Sequence, residues 1–252
     1  MAAGRITVDF FYDVVSPYSY LAFETLLRYR TPWNLDVRLK PFFLGGVMKE
    51  TNNRPPGLVP NKAAYMATDL RRLSGYFGVP IEPPSYFLEF IMTKSTIKPQ
   101  RFLVALGMKH PKYVEEASRG FWKRFYEDNK EIASEDDIAE VGRKIGMTDD
   151  VLKEALAMIT EDSVKQALLD NTKRAVEEYG AFGAPTIVAH VDGSRTCSSA
   201  VTGSSSWPTS WERSGSVRNL RKPSCDIVIR ARQAGGLCYR ALFFNQLWFL
   251  GK

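Results

Sequence analysis

One stretch constrains the fold more than any other: Phe10-Phe11-Tyr12-Asp13-Val14-Val15-Ser16-Pro17-Tyr18-Ser19-Tyr20. The apolar run at 6–11 ahead of it reads as a buried strand, and residues 17–30 behind it carry Leu21, Phe23, Leu26 and Leu27 as the inward face of a helix. A strand that turns directly into a helix places its turn residue, Ser16, where free backbone N–H groups and the positive end of the macrodipole converge. A thiolate bound there has a lowered pKa and is a better nucleophile at neutral pH. Ser16-Pro17 also reads as a plain N-cap serine with proline at the first helical position. On these residues alone both readings stand.

The chain around this stretch is mixed α/β. Leu35-Asp36-Val37-Arg38-Leu39-Lys40-Pro41 alternates as a half-buried strand should, which gives a strand–helix–strand unit with a right-handed crossover. Gly45-Gly46 and the Asn-, Pro- and Gly-rich residues 51–60 predict a loop, with Asn53, Arg54 and Lys62 as polar groups near a domain edge. Helices are expected at 61–77, 85–92, 99–107, 112–128, 134–145, 149–159 and 162–179, several of them opened by Ser or Asp. Phe121, Trp122, Phe125 and Tyr126 read as core and Lys123-Arg124 as a solvated face. A second informative stretch runs from Tyr179-Gly180-Ala181-Phe182-Gly183 through Ala184-Pro185 into the apolar strand Thr186-Ile187-Val188-Ala189-His190-Val191 and the turn Asp192-Gly193. A Gly-x-Pro ahead of a strand suits a cis proline, and it frees a backbone edge at Ala184 for an extended ligand. His190 is read as a packing residue.

Composition narrows the chemistry. The net charge of +6 resides in the tail: from Ser194 to Lys252 there are nine Lys/Arg against Glu212 and Asp226, whereas residues 1–193 carry 25 bases and 26 acids. The body therefore gives no electrostatic case for nucleic acid. The three cysteines, Cys197, Cys225 and Cys238, also lie in the tail, so the body has no disulfide, no cysteine metal site and no thiol nucleophile. Two histidines, His110 and His190, supply neither a Ser/His mechanism nor a His-rich metal site, and no metal is expected. No apolar run approaches the length of a membrane span, and Met1 to Arg5 carry no readable targeting signal.

Strand, turn, helix, a long helical insertion, then proline before a strand: this is the plan of a thioredoxin-like fold with a helical domain inserted after the first β-α-β unit. Phe11-Tyr12-Asp13-Val14 with Ser16-Pro17-Tyr18-Ser19, Asn53 with Pro55-Pro56-Gly57, and the 179–193 segment together resemble the kappa-class glutathione transferases, relatives of the bacterial 2-hydroxychromene-2-carboxylate isomerases. The likeness covers essentially residues 5–193. It implies a homodimer in the mitochondrial matrix or peroxisome that binds glutathione across the thioredoxin-like domain, 1–44 and 179–193, with 45–178 as the inserted domain. It also implies that Ser16 donates a hydrogen bond to the glutathione sulfur without being the nucleophile. Pro17 and Tyr18 would line the site, Asn53 and Lys62 would hold the peptide's polar ends, and Ala184, ahead of a cis Pro185, would pair with the cysteinyl backbone. The reaction implied is thiolate attack on a small electrophile, or peroxide reduction. Without a Cys-x-x-Cys, a disulfide oxidoreductase is disfavoured. Glutathione-dependent isomerisation of an aromatic carboxylate is the alternative.

After Gly193 the resemblance is expected to stop. The family continues into a strand, a Phe-Gly-Ser-Asp turn that grips the γ-glutamyl end, and a final amphipathic helix; here the residues are Ser- and Arg-rich, such as Ser204-Ser205-Ser206-Trp207-Pro208. Read one base out of phase, the codons allowed for 196–213 can spell that turn and helix. A shifted reading frame from about residue 194 is the expectation, with 194–252 as an aberrant, disordered basic tail and the chain as a weakened or inactive glutathione-binding remnant. An authentic basic tail that meets a membrane or nucleic acid is the alternative.

Overall fold

In the computed structural model, which describes residues 5–191, 194–199, 229–233 and 236–241, the apolar run forms β1 (Ile6–Tyr12) and the helical run forms α1 (Pro17–Tyr29). Strand β2 (Leu35–Pro41) pairs parallel with β1 from Ile6↔Leu35 to Tyr12↔Pro41. Strand β3 (Thr186–Val191) pairs antiparallel on the other side of β1, and β4 (Ser194–Ser199) pairs antiparallel with β3, giving the sheet order β2-β1-β3-β4. Strands β5 (Ile229–Gln233) and β6 (Gly236–Ala241) form a separate antiparallel pair. The sheet thus continues past residue 193 into β4. Most of the 194–252 segment, for which disorder is expected, lies outside the described residues.

Alternation along β1 divides its side chains between two apolar clusters. Val8, Phe10 and Tyr12 join Leu21, Phe23 and Leu26 of α1, and Phe11 with Val188 packs against Phe42, Val47, Ala175 and Ala181. Between β2 and β3 the chain is helical: α2 (Leu44–Glu50), α3 (Pro60–Phe77), α4 (Phe87–Thr93), α5 (Ile97–Lys109), α6 (Val114–Tyr126), α7 (Glu135–Lys144), α8 (Asp149–Met158) and α9 (Asp162–Lys173), the last running into a π-helical turn at Arg174–Glu178. These helices share the core of the sheet. A single apolar cluster runs from Phe10 and Tyr12 through Phe102 of α5 to Phe121, Trp122 and Phe125 of α6. Trp122 lies stacked on Tyr20 at 5.3 Å and tilted against Phe23 at 4.9 Å. Such pairs add about 0.5–1.5 kcal/mol each beyond their burial, so α6 is fixed directly to α1.

Local signals placed most of these elements. Ser134 caps α7 with a full capping box to Asp137, and Pro99 falls in the first turn of α5, where its missing N–H costs nothing. Helix α2 departs from the expected loop. Its Gly45 and Gly46 disfavour a helix in isolation, but a Cβ at Gly45 would lie 2.7 Å from the Phe43 ring, and one at Gly46 would lie 3.3 Å from Thr172 of α9. Close packing, with Val47 buried beneath, overrides the local preference.

Candidate active site

The site is built where β1, α1 and the loop before β3 meet. Ser16 is the N-cap of α1 in an extended conformation, and Pro17 follows at the first helical position. The Ser16 Oγ accepts the Ser19 N–H at 3.1 Å and donates to the Ala184 carbonyl at 3.2 Å. The Ala184–Pro185 peptide is cis. Residues far apart in sequence are thus brought into direct contact, with Ser16 5% exposed at the head of a thirteen-residue helix. The capping role and the position suited to an anion coexist in one side chain.

The other expected residues gather unequally. Asn53 donates to the Phe182 carbonyl at 2.6 Å and accepts the Arg54 N–H at 2.8 Å, which holds the 51–60 loop against the segment before Ala184. The half-buried Tyr18 donates its hydroxyl to Asp69 of α3 at 3.0 Å. Burial, then the nearby Asp69 carboxylate, pushes the Tyr18 phenol well above its ordinary range, so it stays a neutral donor. Lys62 lies exposed in the first turn of α3, two turns ahead of Asp69. His190 does more than pack: its Nε2 lies 2.9 Å from Asp9 Oδ2 across the β1–β3 pair. Among the described residues no group of three or more His, Cys, Asp or Glu is placed to hold a metal ion, and no helix is long and apolar enough to cross a membrane.

Three residues before Ser16 lies an acid to which the motif by itself assigns no role. Asp13 is fully buried. Its Oδ1 accepts the Val15 N–H at 3.1 Å, and its Oδ2 accepts the Leu44 N–H and the Thr96 hydroxyl, each at 2.9 Å. Burial pushes its carboxyl up to about 6, against the opposing pull of those donors. Gln100 of α5 donates to the carbonyls of Tyr12 at 2.7 Å and Phe42 at 2.6 Å. One sequence signal did exist: an acid enclosed by Tyr12 and Val14-Val15 in an apolar run is there to be bonded.

With this geometry in view, comparison with known proteins is decisive. The pattern of the DSBA-like thioredoxin domain matches residues 7–213, reaching beyond Gly193. Glutathione S-transferase kappa 1 of Homo sapiens is 42% identical over 187 residues, 74% of this chain and 82% of that protein. The chain belongs to the kappa-class glutathione S-transferases, within the DsbA-like thioredoxin family. Its kappa-class relative in Rattus norvegicus is 39% identical over 193 residues, 77% of this chain and 85% of that protein. In fold, this kappa-class chain is similar to 2-hydroxychromene-2-carboxylate isomerase, with a TM-score of 0.58 and 21% identity over 75% of this chain and 87% of that one.

Proposed function

We propose that the protein binds glutathione beside Ser16, stabilises it as the thiolate and transfers it to a small electrophile, with peroxide reduction as a second outlet. The observation that carries this reading is the Ser16 hydroxyl, capping α1 and lying against Ala184 beside a cis proline, in a body that has no cysteine. A thioredoxin-like site without its own thiol must take its sulfur from a ligand. When the cysteinyl N–H of glutathione donates to the Ala184 carbonyl, it displaces the Ser16 hydroxyl, which is then free to donate to the sulfur. The remaining Ser19 N–H keeps the serine in place. Charge-assisted hydrogen bonds of this kind, together with the helix N-terminus, favour the thiolate. Asn53, Lys62, Pro17 and Tyr18 complete the glutathione groove in this reading.

The reading extends, through the family, to a homodimer in the mitochondrial matrix or peroxisome. Isomerisation of an aromatic carboxylate is a second use of the same serine, favoured by the likeness in fold to the isomerase. The sequence after Gly193 lacks the Phe-Gly-Ser-Asp turn, which argues for weakened glutathione binding. Retention on immobilised glutathione tests the reading first, followed by conjugation of an aryl halide and isomerisation assays. The chain is expected to be retained less well than a version carrying the out-of-phase sequence after Gly193. If neither is retained, the glutathione reading is wrong.

A further inference from the structure

The thiolate chemistry makes no direct use of Asp13, yet the arrangement around it is the most densely bonded polar group at the site. The donors come from three parts of the chain: Val15 in the turn, Leu44 at the first residue of α2, and Thr96 immediately before α5. The Asp13 carbonyl also accepts the Ser16 N–H at 3.0 Å. Gln100 bridges the ends of β1 and β2 alongside, and the Phe42 N–H donates to the Tyr12 carbonyl at 3.0 Å. The seam between the inserted helices and the Ser16 turn is therefore closed at one buried carboxylate.

We propose that Asp13 is a positioning residue for Ser16: its carboxylate ties the turn to α2 and α5 and so fixes where the serine hydroxyl can meet a bound sulfur. This rests on the glutathione reading for its chemical consequence, and on the geometry alone for the tie itself. The ionised carboxylate accepts all three donors. A protonated carboxyl must donate from one oxygen: on Oδ1 the proton weakens the bond from the Val15 N–H, and on Oδ2 it makes the Thr96 hydroxyl turn from donor to acceptor, so protonation disturbs the tie either way. The titratable groups that face Asp13 are Tyr12 of β1 and Tyr126 of α6, and burial holds both phenols neutral across the physiological range. Tyr126 also donates to the Val15 carbonyl at 2.5 Å, so the turn is held from that side independently of pH.

The consequence has an unusual sign. The folded chain holds the Asp13 proton more tightly than the unfolded chain does, so acidification through about pH 6 favours folding at this group. The same proton slackens the turn and lowers catalysis. A buried acid that served stability alone through its charged bonds would lose stability as the pH fell.

The test uses the full chain as wild type, Asp13→Asn and Thr96→Val. Steady-state kinetics with glutathione and an aryl halide give kcat, KM and their pH profiles between about pH 5 and pH 8. Amide hydrogen exchange at Val15, Ser16 and Leu44 is followed over the same range without glutathione. Asp13→Asn is expected to lower kcat about tenfold with the KM for glutathione changed less than about threefold, to remove the Asp13 contribution to the acid limb, and to speed exchange at Val15 and Leu44 at neutral pH. Thr96→Val, which removes one donor and keeps the shape, is expected to move the same readouts in the same direction by about threefold. A folded Asp13→Asn with wild-type kcat, pH profile and exchange overturns the proposal. If Asp13→Asn does not fold, Thr96→Val decides alone, and wild-type values in it are the overturning result. If the wild type gives no turnover with glutathione, retention of the two versions on immobilised glutathione decides the glutathione reading, and the exchange measurement still decides the tie: faster exchange in the variants supports it and unchanged exchange overturns it.

Discussion

Strand β1 carries one buried acid and runs directly into another, and the two are bonded in opposite ways. Asp9 is 3% exposed, and its Oδ2 meets the half-buried His190 at 2.9 Å, while its Oδ1 has no partner among the described residues. Asp13 is fully buried and has three donors from three elements. The Asp9 pair joins two strands that the backbone ladder between β1 and β3 already joins. The Asp13 bonds join a turn to two helices that share no ladder with it. The difference teaches that burial of a carboxylate says little by itself. Its importance is set by whether its partners have any other way to be satisfied.

The largest expected effect separates the two acids by truncation. Asp13→Ala removes the acceptor of the Val15 and Leu44 N–H groups and of the Thr96 hydroxyl, at about 1–3 kcal/mol for each donor left unpaired. Removal of a buried charge offsets part of this, so a net loss of about 3 kcal/mol in urea denaturation at neutral pH is expected. Asp9→Ala, which frees a half-exposed histidine to turn to water, is expected to cost about 1 kcal/mol. Equal losses would erase the distinction.

A pH series sharpens it. The Asp13 carboxyl rises from 3.8 unfolded to about 6 folded, so the native state binds more protons between those values. Stability from this group is therefore highest below about pH 4 and declines as pH rises through about 6, by up to ~3 kcal/mol. Subtracting the Asp13→Asn curve from wild type should isolate that decline. A difference curve of the opposite slope would mean that the donors outweigh burial. The smallest effect concerns the neighbouring pair: Asp9→Asn keeps an acceptor for His190 and is expected to change stability by less than about 1 kcal/mol.

The ease with which features were read from sequence follows the same division. Ser16-Pro17 is a local cap signal, and the Leu35–Pro41 alternation is a local strand signal, so β1, α1 and β2 were legible almost to the residue. The meeting of Ser16 with Ala184 was legible from the order of motifs in the thioredoxin-like plan. The partners of Asp13 were not. Leu44 and Thr96 lie 31 and 83 residues away, and no period or spacing in the chain announces them. Helix α2 is hidden for a related reason: Gly45 and Gly46 oppose it locally, and its start is tied to α9 by the Phe43 N–H donating to the Thr172 hydroxyl, 129 residues away. The Asp9–His190 pair, 181 residues apart, made His190 look like a packing residue.

The thiol pKa of bound glutathione, titrated in wild type and in Ser16→Ala, tests the central claim most directly. Loss of one charge-assisted hydrogen bond, worth about 1.5–3 kcal/mol, is expected to raise that pKa by about 1–2 units. Glutathione affinity at a pH below the bound thiol's pKa, where the protonated thiol binds, should change little, because the groove residues remain. A bound thiol with the same pKa in both proteins would contradict a role for the Ser16 hydroxyl in holding the thiolate.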